Sequence, residues 1–305
     1  MSAIKKVVVV GAGGNLGPFI LSSLHSANFT ISVLTRPDSN STYPSYVTSV
    51  KTDYSHPSLL DAFRGQDAVI STVGFTGTSF QIQLIDAADQ AGVKRFVPSE
   101  FGWAKDRPML PELAARLEPK EKVFEHLLEK CRTSETMSWS AVATGPFLDW
   151  CLNIVPTLGF VVPKRTARIY DSGEEPLTCT TGAAIGTAVA NILLNADKTA
   201  NRYLKVCSVK ATQNQFLEAL EEATDTKWNV TRVSTKDIMQ GRTKKLQEKK
   251  FQEAFLDLLT VQLFEDGAGR GSIVEPEKSD NELLGVKVED VKHVINMLVS
   301  ATEAV

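Results

Sequence analysis

Four consecutive valines run into a glycine-rich turn in the stretch Val7-Val8-Val9-Val10-Gly11-Ala12-Gly13-Gly14-Asn15-Leu16-Gly17. An unbroken valine run is typical of a parallel strand that is buried on both faces. The apolar residues Phe19, Ile20 and Leu24 then begin a helical face. A strand, a glycine-rich turn and a helix in this order predict the first half of a dinucleotide-binding unit.

The glycines of this turn have separate predicted tasks. Gly11 allows the tight turn, Gly14 lets the backbone approach a pyrophosphate, and Gly17 lets the helix pack closely on the strand. The start of the helix would then present free N–H groups and a partial positive charge to the phosphates. An ordinary tight turn is the alternative, because a glycine pattern alone is weak evidence. The position between a strand and a helix favours the dinucleotide site.

The bulk composition is that of an ordinary globular protein. The chain has 305 residues, 43% of them hydrophobic, which is enough for one large or two smaller domains with a substantial core. The net charge of −3 predicts no nucleic-acid partner and no anionic membrane surface as a partner. No apolar run approaches the length of a membrane span, and the N-terminus leads directly into the first strand, so we expect no signal peptide.

Neither the cysteines nor the basic residues form a clear binding motif. Cys131, Cys151, Cys179 and Cys207 are far apart, and we expect a reduced, cytoplasmic protein without structural disulfides. Basic residues gather at 242–250, within a segment at 236–264 that is predicted to be helical. A nucleic-acid interface is one interpretation, but a solvated helix face is favoured because acidic and apolar residues follow at once.

Strands and helices alternate along the first half of the chain. After the first helix, predicted strands and their exits cover 30–35, 47–51, 67–74, 94–102 and 138–147. This alternation predicts an α/β fold with a Rossmann-type, doubly wound parallel sheet. Residues 1–150 are expected to form the NAD(P)-binding domain. Residues 151–305 are expected to form a smaller, mixed α/β substrate-binding part, with some strands and helices returning to the first domain.

The end of the second strand distinguishes the cofactors in a dinucleotide fold, because it meets the adenosine ribose. An acidic residue there favours NAD, whereas a basic residue accommodates the 2′-phosphate of NADP. Here the strand ends in Thr35-Arg36, and no acid precedes Asp38. The Arg36 guanidinium can pair with a phosphate and stack on adenine. We therefore expect NADPH/NADP as the cofactor, with a solvated loop arginine as the alternative.

Other cofactor contacts are expected where the strands end, because ligands of doubly wound sheets lie across the carboxyl ends of the strands. Small residues at these ends leave room for the cofactor. The predicted cofactor-binding residues are Gly11, Ala12, Gly13, Gly14, Asn15, Leu16, Gly17, Thr35, Arg36, Asp53, Thr72, Val73, Gly74, Ser99, Lys120, Pro146 and Phe147.

Several common catalytic arrangements are absent from the sequence. Short-chain reductases commonly pair a tyrosine with a lysine four residues later, but none of the 5 tyrosines has that lysine. No cysteine–histidine cluster supports zinc, and no Gly-x-Ser-x-Gly elbow supports a serine hydrolase. A base of another kind is therefore needed near the expected nicotinamide position.

Lys120 is the candidate for that base, in a helix that Pro119 is predicted to begin. In a first helical turn, the positive end of the helix dipole lowers the pKa of a lysine. Apolar neighbours such as Phe124 lower it further through desolvation, which suits a general base or proton shuttle. From spacing alone, a surface lysine in a charged cluster is an equal alternative. Glu100, after the fifth strand, is a weaker candidate that could instead cap a turn.

Several stretches of the first half form a recognisable set. They are Gly11–Gly17, Thr35-Arg36, Ile70–Gly74 and Lys94–Gly102, and the last contains the distinctive Val-Pro-Ser-Glu-Phe-Gly. Together they resemble isoflavone reductase-like proteins of the NmrA-like, atypical short-chain dehydrogenase/reductase family. The resemblance covers most of the chain and is tight to about residue 150.

This resemblance implies NADPH and a catalytic lysine soon after the Pro-Ser-Glu-Phe-Gly motif. Plant members carry that lysine as Lys-x-x-Val/Ile-Arg, and here Lys120-Glu121-Lys122-Val123-Phe124 keeps the lysine but has Phe124 in place of the arginine. The change weakens the case for the plant phenylpropanoid substrates. The implied reaction delivers a hydride from NADPH to a small aromatic or enone-type substrate, with Lys120 managing the proton on its phenol or enol oxygen.

Two other functions are alternatives to a reductase. Some NmrA-like proteins bind NADP and act as redox-sensing regulators without catalysis, and these typically lose the catalytic lysine. A redox-neutral isomerase with bound cofactor is the second alternative. The retained Lys120 favours an enzyme over a regulator. The expected partner is a small-molecule substrate of aromatic type.

Overall fold

The computed structural model describes residues 3–155 and 157–303. Its strands are β1 (Lys6–Val10), β2 (Thr30–Thr35), β3 (Val47–Lys51), β4 (Ala68–Ser71), β5 (Arg95–Val97), β6 (Ser138–Ala143), β7 (Phe160–Val161), β8 (Thr166–Tyr170), β9 (Leu177–Cys179), β10 (Arg202–Lys205), β11 (Val209–Ala211) and β12 (Asn229–Val233). Its helices are α1 (Gly17–Ser26), α2 (His56–Phe63), α3 (Gln81–Gln90), α4 (Pro111–Thr133), α5 (Leu148–Asn153), α6 (Gly182–Leu194), α7 (Ala196–Thr199), α8 (Gln213–Ala223), α9 (Thr235–Gln247), α10 (Phe251–Phe264), α11 (Asn281–Leu284) and α12 (Val291–Glu303).

Seven strands of the described chain form one parallel sheet in the order β10-β6-β5-β4-β1-β2-β3. On β1, Val9 pairs with Val33 of β2 on one side and with Ile70 of β4 on the other, so the valine strand is central. The chain order reverses between β1 and β4, which is where a doubly wound sheet opens a crevice for a ligand. The predicted Rossmann-type α/β fold is confirmed.

The valine run is buried on both faces of the sheet, as predicted. Val7 and Val9 pack in the core that includes α1 and α6, whereas Val8 and Val10 pack in the core that includes α2, α3 and α4. None of the four is more than 1% exposed. Since burial of one valine side chain contributes roughly 1.5–3 kcal/mol, this strand is a major source of the sheet's stability.

The residues after α5 form smaller sheets and also return to the main one. β8 pairs antiparallel with β7 and parallel with β12, while β9 and β11 form an antiparallel pair. β10 joins the edge of the main sheet beside β6, and α6 packs against α1. A domain boundary near residue 150 stays a prediction, with β10 and α6 as the returning elements.

A buried arginine ties the returning segment to the sheet. Arg95 on β5 is 0% exposed, and its guanidinium donates to the hydroxyls of Ser138 (2.9 Å) and Ser140 (2.6 Å) on β6. It also donates to the Thr199 hydroxyl (2.9 Å) and the Ala196 carbonyl (2.6 Å) on α7. Burial lowers the pKa of Arg95 to about 10. The group is therefore charged at neutral pH and depends on these oxygen partners.

The helix that carries Lys120 begins earlier than predicted. α4 starts at Pro111, where the missing N–H of a proline costs nothing. Pro119 lies inside the helix, so the prediction that it begins the helix is wrong. Pro119 has no N–H to donate and so removes one backbone hydrogen bond of the helix. Leu113 and Val123 are buried on either side of it, and this burial stabilises the helix across the gap. Lys120 lies about three turns into α4, and the helix-dipole argument for its pKa therefore fails.

The predicted helical segment 236–264 is divided into α9 and α10. The division lies at residues 248–250, where Lys249 has a φ of +59°. This left-handed conformation cannot continue a right-handed helix. The two helices pack against each other as a hairpin, and α10 thereby reaches the functional site.

Candidate functional site

The glycine-rich turn is held in a conformation that demands glycine at two positions. Gly11 has a φ of +85°, and a Cβ there would lie 2.9 Å from the Thr72 carbonyl carbon after β4. A Cβ at Gly17 would lie 1.7 Å from the Ala12 carbonyl oxygen. The crowding at Gly17 thus comes from the backbone of the turn itself, not from the strand.

The start of α1 offers hydrogen-bond donors to an anion. The Gly14 N–H donates to the Gly11 carbonyl at 3.0 Å, and the Gly17 N–H donates to the Gly14 carbonyl at 3.1 Å. In the part of the chain that the structure describes, the N–H groups of Asn15 and Leu16 donate to no protein group. Free N–H groups at a helix N-terminus, where the dipole is positive, suit a phosphate. The turn is therefore fitted to the pyrophosphate of a dinucleotide.

Arg36 follows β2 and its side chain is exposed. Its loop is closed by Lys51, whose ammonium donates to the carbonyls of Ser39 (2.5 Å) and Arg36 (3.4 Å). The Tyr43 hydroxyl lies 3.5 Å from the position of a Cβ on Gly13, so this ring borders the glycine-rich turn. Sequence analysis missed Lys51 and Tyr43 because neither belongs to a recognisable motif.

A cavity of about 550 Å³ extends from the glycine-rich turn, past the exits of β4, β5 and β6, to α4 and α10. This volume is in the range of small-molecule sites. Its walls are Gly14, Asn15, Leu16, Thr72, Val73, Gly74, Phe75, Ser99, Phe101, Gly102, Trp103, Leu113, Leu117, Lys120, Gly145, Pro146, Phe147, Trp150, Cys151, Thr157, Phe255, Leu259 and Leu263. The predicted residues that it brings together are Gly14, Asn15, Leu16, Thr72, Val73, Gly74, Ser99, Lys120, Pro146 and Phe147.

The remaining predicted cofactor residues lie outside the cavity wall. They are Gly11, Ala12, Gly13, Gly17, Thr35, Arg36 and Asp53. The Asp53 carboxylate accepts from the Ser55 N–H (2.9 Å) and hydroxyl (2.7 Å) just before α2, and these bonds lower the pKa of Asp53. Thr35 is buried, and among the described residues its hydroxyl has no hydrogen-bond partner. A cofactor role for Asp53 and Thr35 stays a prediction.

Lys120 carries an ionisable amine into a largely apolar cavity wall. Its pKa lies below the ordinary lysine range because burial disfavours the charged form. The Glu100 carboxylate raises the pKa, the Lys105 ammonium lowers it, and the net shift is downward. The neutral amine is the form that a general base requires, so the environment of Lys120 favours proton transfer.

The Phe124 ring contacts the polar and charged residues that lie near Lys120. It lies one helical turn after Lys120, and its ring packs edge-on against Tyr203 at 5.6 Å between centroids. The Lys105 ammonium lies 3.9 Å from the Phe124 ring centroid, within the range of a cation–π interaction. The Tyr203 hydroxyl donates to the Glu100 carboxylate at 3.2 Å. Glu100 is therefore a buried neighbour of the site and does not line the cavity.

Opposite substitutions around Lys120 should shift its pKa in opposite directions. We expect Lys105→Met to raise the pKa of Lys120 by removing a like charge, and Glu100→Gln to lower it by removing an opposite one. At a fixed pH near neutrality, acetylation of Lys120 by acetic anhydride should change by about threefold to tenfold, slower in K105M and faster in E100Q. Mass spectrometry of the peptide that contains Lys120 measures both rates. Shifts of the same sign in the two variants would contradict this electrostatic account.

Helix α10 supplies a wall of the cavity that sequence analysis missed. Phe255, Leu259 and Leu263 contribute from successive turns. Their spacing of four residues puts them on one helix face, and this spacing is the pattern that could have identified them. The spacing does not show that this face of α10 packs against the first half of the chain.

The cysteine in the cavity wall is not a strong nucleophile. Burial raises the pKa of the Cys151 thiol to about 11, so the thiolate is scarce at neutral pH. Within residues 3–155 and 157–303, no group of three or more His, Cys, Asp or Glu side chains could hold a metal ion. The same residues contain no helix that combines the length and apolar character needed to cross a membrane.

Comparison with known proteins gives the chain's relatives. Residues 3–283 match the model of the NmrA-like family. The chain is 36% identical over 296 residues to oxidoreductase poxI of Penicillium oxalicum, with 95% of this chain and 92% of that protein covered. It is 31% identical over 241 residues to an isoflavone reductase homolog of Solanum tuberosum, with 73% and 76% covered. The solved structure of AtPrR2 with NADP+ and (+)pinoresinol has a TM-score of 0.78 at 21% identity, covering 98% of this chain and all of that one, and shows a shared fold.

Proposed function

The chain belongs to the NmrA-like family, and we propose that it transfers a hydride from NADPH to a small aromatic or enone-type substrate, with Lys120 handling the proton. It is an oxidoreductase of the isoflavone reductase-like group with NADPH as its cofactor. One observation carries the proposal: a lysine with a lowered pKa lies in an apolar cavity that begins at a dinucleotide-binding turn.

Unpaired backbone N–H donors and open space at the carboxyl edge of the sheet indicate which residues would hold NADPH. The Asn15 and Leu16 N–H groups would bind the pyrophosphate, and the Arg36 guanidinium would bind the 2′-phosphate. A Cβ on Gly74 would meet no atom within 4 Å, which leaves room after β4 in the cavity wall. NADPH supplies the hydride when it is bound.

Lys120 would hold or move a proton at the phenol or enol oxygen of the substrate. Its neutral form accepts the proton, and its charged form donates it or stabilises a developing negative charge on that oxygen. The apolar wall around it, with Leu113 and Leu117 from the same helix, would exclude water. Exclusion of water strengthens the electrostatic effect of one amine.

Aromatic side chains in the cavity wall support an aromatic substrate. Trp103, Phe147, Trp150 and Phe255 offer ring faces and edges against which a planar substrate could pack. The fold relative AtPrR2 was solved with (+)pinoresinol, an aromatic molecule. Both observations favour a ring-bearing substrate in the region between α5 and α10.

A screen of NADPH oxidation tests the proposed function. The purified protein is incubated with NADPH and a panel of aromatic enones and phenolic ethers, and loss of NADPH absorbance is followed together with product mass. We expect turnover with at least one member and a product two hydrogen atoms heavier than the enone. NADPH binding without oxidation across the panel would contradict the reductase and support an NADP-sensing regulator.

Cofactor preference should depend on Arg36. Removal of this guanidinium in Arg36→Ala is expected to weaken NADPH binding by about 10–100-fold, because a hydrogen-bonded charge pair contributes roughly 1.5–3 kcal/mol. NADH lacks the 2′-phosphate, so its affinity should be nearly unchanged. Calorimetric titration with both cofactors measures the effect. Arg64→Ala is the matched control, since Arg64 is an exposed arginine paired with Asp61 on α2. Equal affinities of the wild-type protein for NADPH and NADH would refute the role of Arg36.

A further inference from the structure

The cations of α4 divide into two groups by their partners. Those away from the cavity are paired: Lys122 with Glu118 (3.0 Å), Lys130 with Asp86 (2.9 Å) and Arg132 with Glu129 (2.7 Å). The other two, Arg116 and Lys120, have no carboxylate oxygen within 4.0 Å in the described chain. Of these two, Lys120 lines the cavity, whereas Arg116 lies one helical turn before it and is exposed.

The Arg116 side chain extends over two aromatic rings of the cavity wall. Its guanidinium carbon lies 5.4 Å from the centroid of Phe75 and 5.9 Å from the centroid of Phe255. The two rings are 6.4 Å apart, and both line the cavity. Phe75 comes from the exit of β4 and Phe255 from α10, so Arg116 lies where the two halves of the chain meet. Phe75 is 42% exposed, which places this cluster at the mouth of the cavity.

A stacked guanidinium keeps its hydrogen-bonding edge available. A guanidinium can pack its planar face on a ring while its N–H donors, which lie in the plane, match the two oxygens of a carboxylate. The apolar rings reduce screening by water on one side and so strengthen the attraction to an anion. Arg116 thus combines a position over two rings of the cavity wall with N–H donors and a charge that have no hydrogen-bond or ion-pair partner among the described residues.

Arg116 and Lys120 are four residues apart on one helix. Their Cα atoms are separated by about 6 Å along the axis, and their side chains share one face. A substrate that spans this face would therefore meet two cations with different properties. Lys120 lies deeper and has a lowered pKa, which suits proton transfer, whereas arginine keeps its charge and suits binding.

We propose that Arg116 binds a carboxylate of the substrate at the mouth of the cavity, so that the substrate class is an aromatic or enone-type carboxylic acid. This inference rests on the proposed function. It identifies the group at one end of the substrate, a carboxylate, and assumes that the reducible part at the other end lies near Lys120. The Phe75 and Phe255 rings lie beside the guanidinium at the mouth, and the apolar cavity would receive the rest of the molecule.

A matched pair of probes tests the charge preference. Cinnamate and its methyl ester share a ring and a conjugated double bond but differ in the negative charge. Both are titrated calorimetrically into the NADP+-loaded protein. We expect cinnamate to bind about 10–100-fold more tightly than methyl cinnamate, as for a charge-assisted bidentate pair. In Arg116→Met this ratio should fall to about one, and Arg116→Lys should keep only part of it.

Lys122→Met is the control, because Lys122 is a paired, exposed cation on the same helix. It should leave the cinnamate preference unchanged, and circular dichroism verifies that all variants fold. Equal affinity of the wild-type protein for the two probes, no detectable binding of cinnamate, or an unchanged ratio in R116M would each overturn the proposal. The reductase assignment is tested separately by NADPH oxidation with neutral enones, which would persist in R116M even if the carboxylate role of Arg116 were overturned.

Discussion

Replacement of Lys120 by methionine should lower turnover by about 10²–10⁴-fold, the usual contribution of a positioned general acid or base. Methionine keeps the unbranched length of the side chain and suits the apolar cavity wall, but it can neither accept nor donate the proton. NADPH should still bind, because the start of α1 and Arg36 supply the phosphate contacts. The measurement is kcat with an active member of the enone panel, together with a calorimetric NADPH titration.

Two further variants separate proton transfer from charge alone. Lys120→Arg keeps a positive charge but stays protonated at all accessible pH values, so it should remain nearly as inactive as K120M. Lys122→Met changes a lysine two residues away that pairs with Glu118 on the exposed side of α4, and its turnover should be that of the wild type. Turnover of K120M within about threefold of the wild type would rule out Lys120 as the proton-transfer residue.

The fold was predictable because the sequence features that determine it act on residues close to them in the chain. The valines of β1 and the glycines at 11 and 17 each constrain a few neighbouring residues, and the structure uses them as strand centre and tight turn. The start of α4 was not predictable in the same way. Pro111 and Pro119 are equally acceptable at a first helical position, and the choice between them depends on burial of residues such as Leu113. Such burial is a tertiary effect that spacing does not contain.

The lining of the candidate site could be predicted only for residues in the first half of the chain. Gly14, Thr72 and Lys120 follow strand exits or family motifs, and they meet in one cavity. Phe255 and its neighbours on α10 have a helical spacing that is typical of any buried face. Their contribution depends on the bend at Lys249, which turns α10 back on α9. Sequence patterns predict which face of a helix is apolar, whereas long-range packing determines which other element that face contacts.

The substitution at position 124 changes the source of the local positive charge. The resemblance to plant isoflavone reductase-like proteins predicts an arginine where this chain has Phe124. Here the Lys105 ammonium lies 3.9 Å from the centroid of the Phe124 ring, and the negative charge of the buried Glu100 attracts that ammonium. A cation is therefore kept one helical turn from Lys120, but it comes from the loop after β5.

Removal of the Arg95 guanidinium should destabilise the protein more than any exposed substitution proposed above. In Arg95→Met, the buried hydroxyls of Ser138, Ser140 and Thr199 and the partly buried carbonyl of Ala196 each lose a donor. Each buried acceptor that is left without a donor costs roughly 1–3 kcal/mol, and the effect should appear as a lower urea midpoint by circular dichroism. The control is Arg64→Met, because the Arg64–Asp61 pair is 66% and 78% exposed and such pairs contribute roughly 0–1 kcal/mol. A loss in R95M no greater than that in R64M would show that the Arg95 hydrogen bonds do not hold α7 to the sheet.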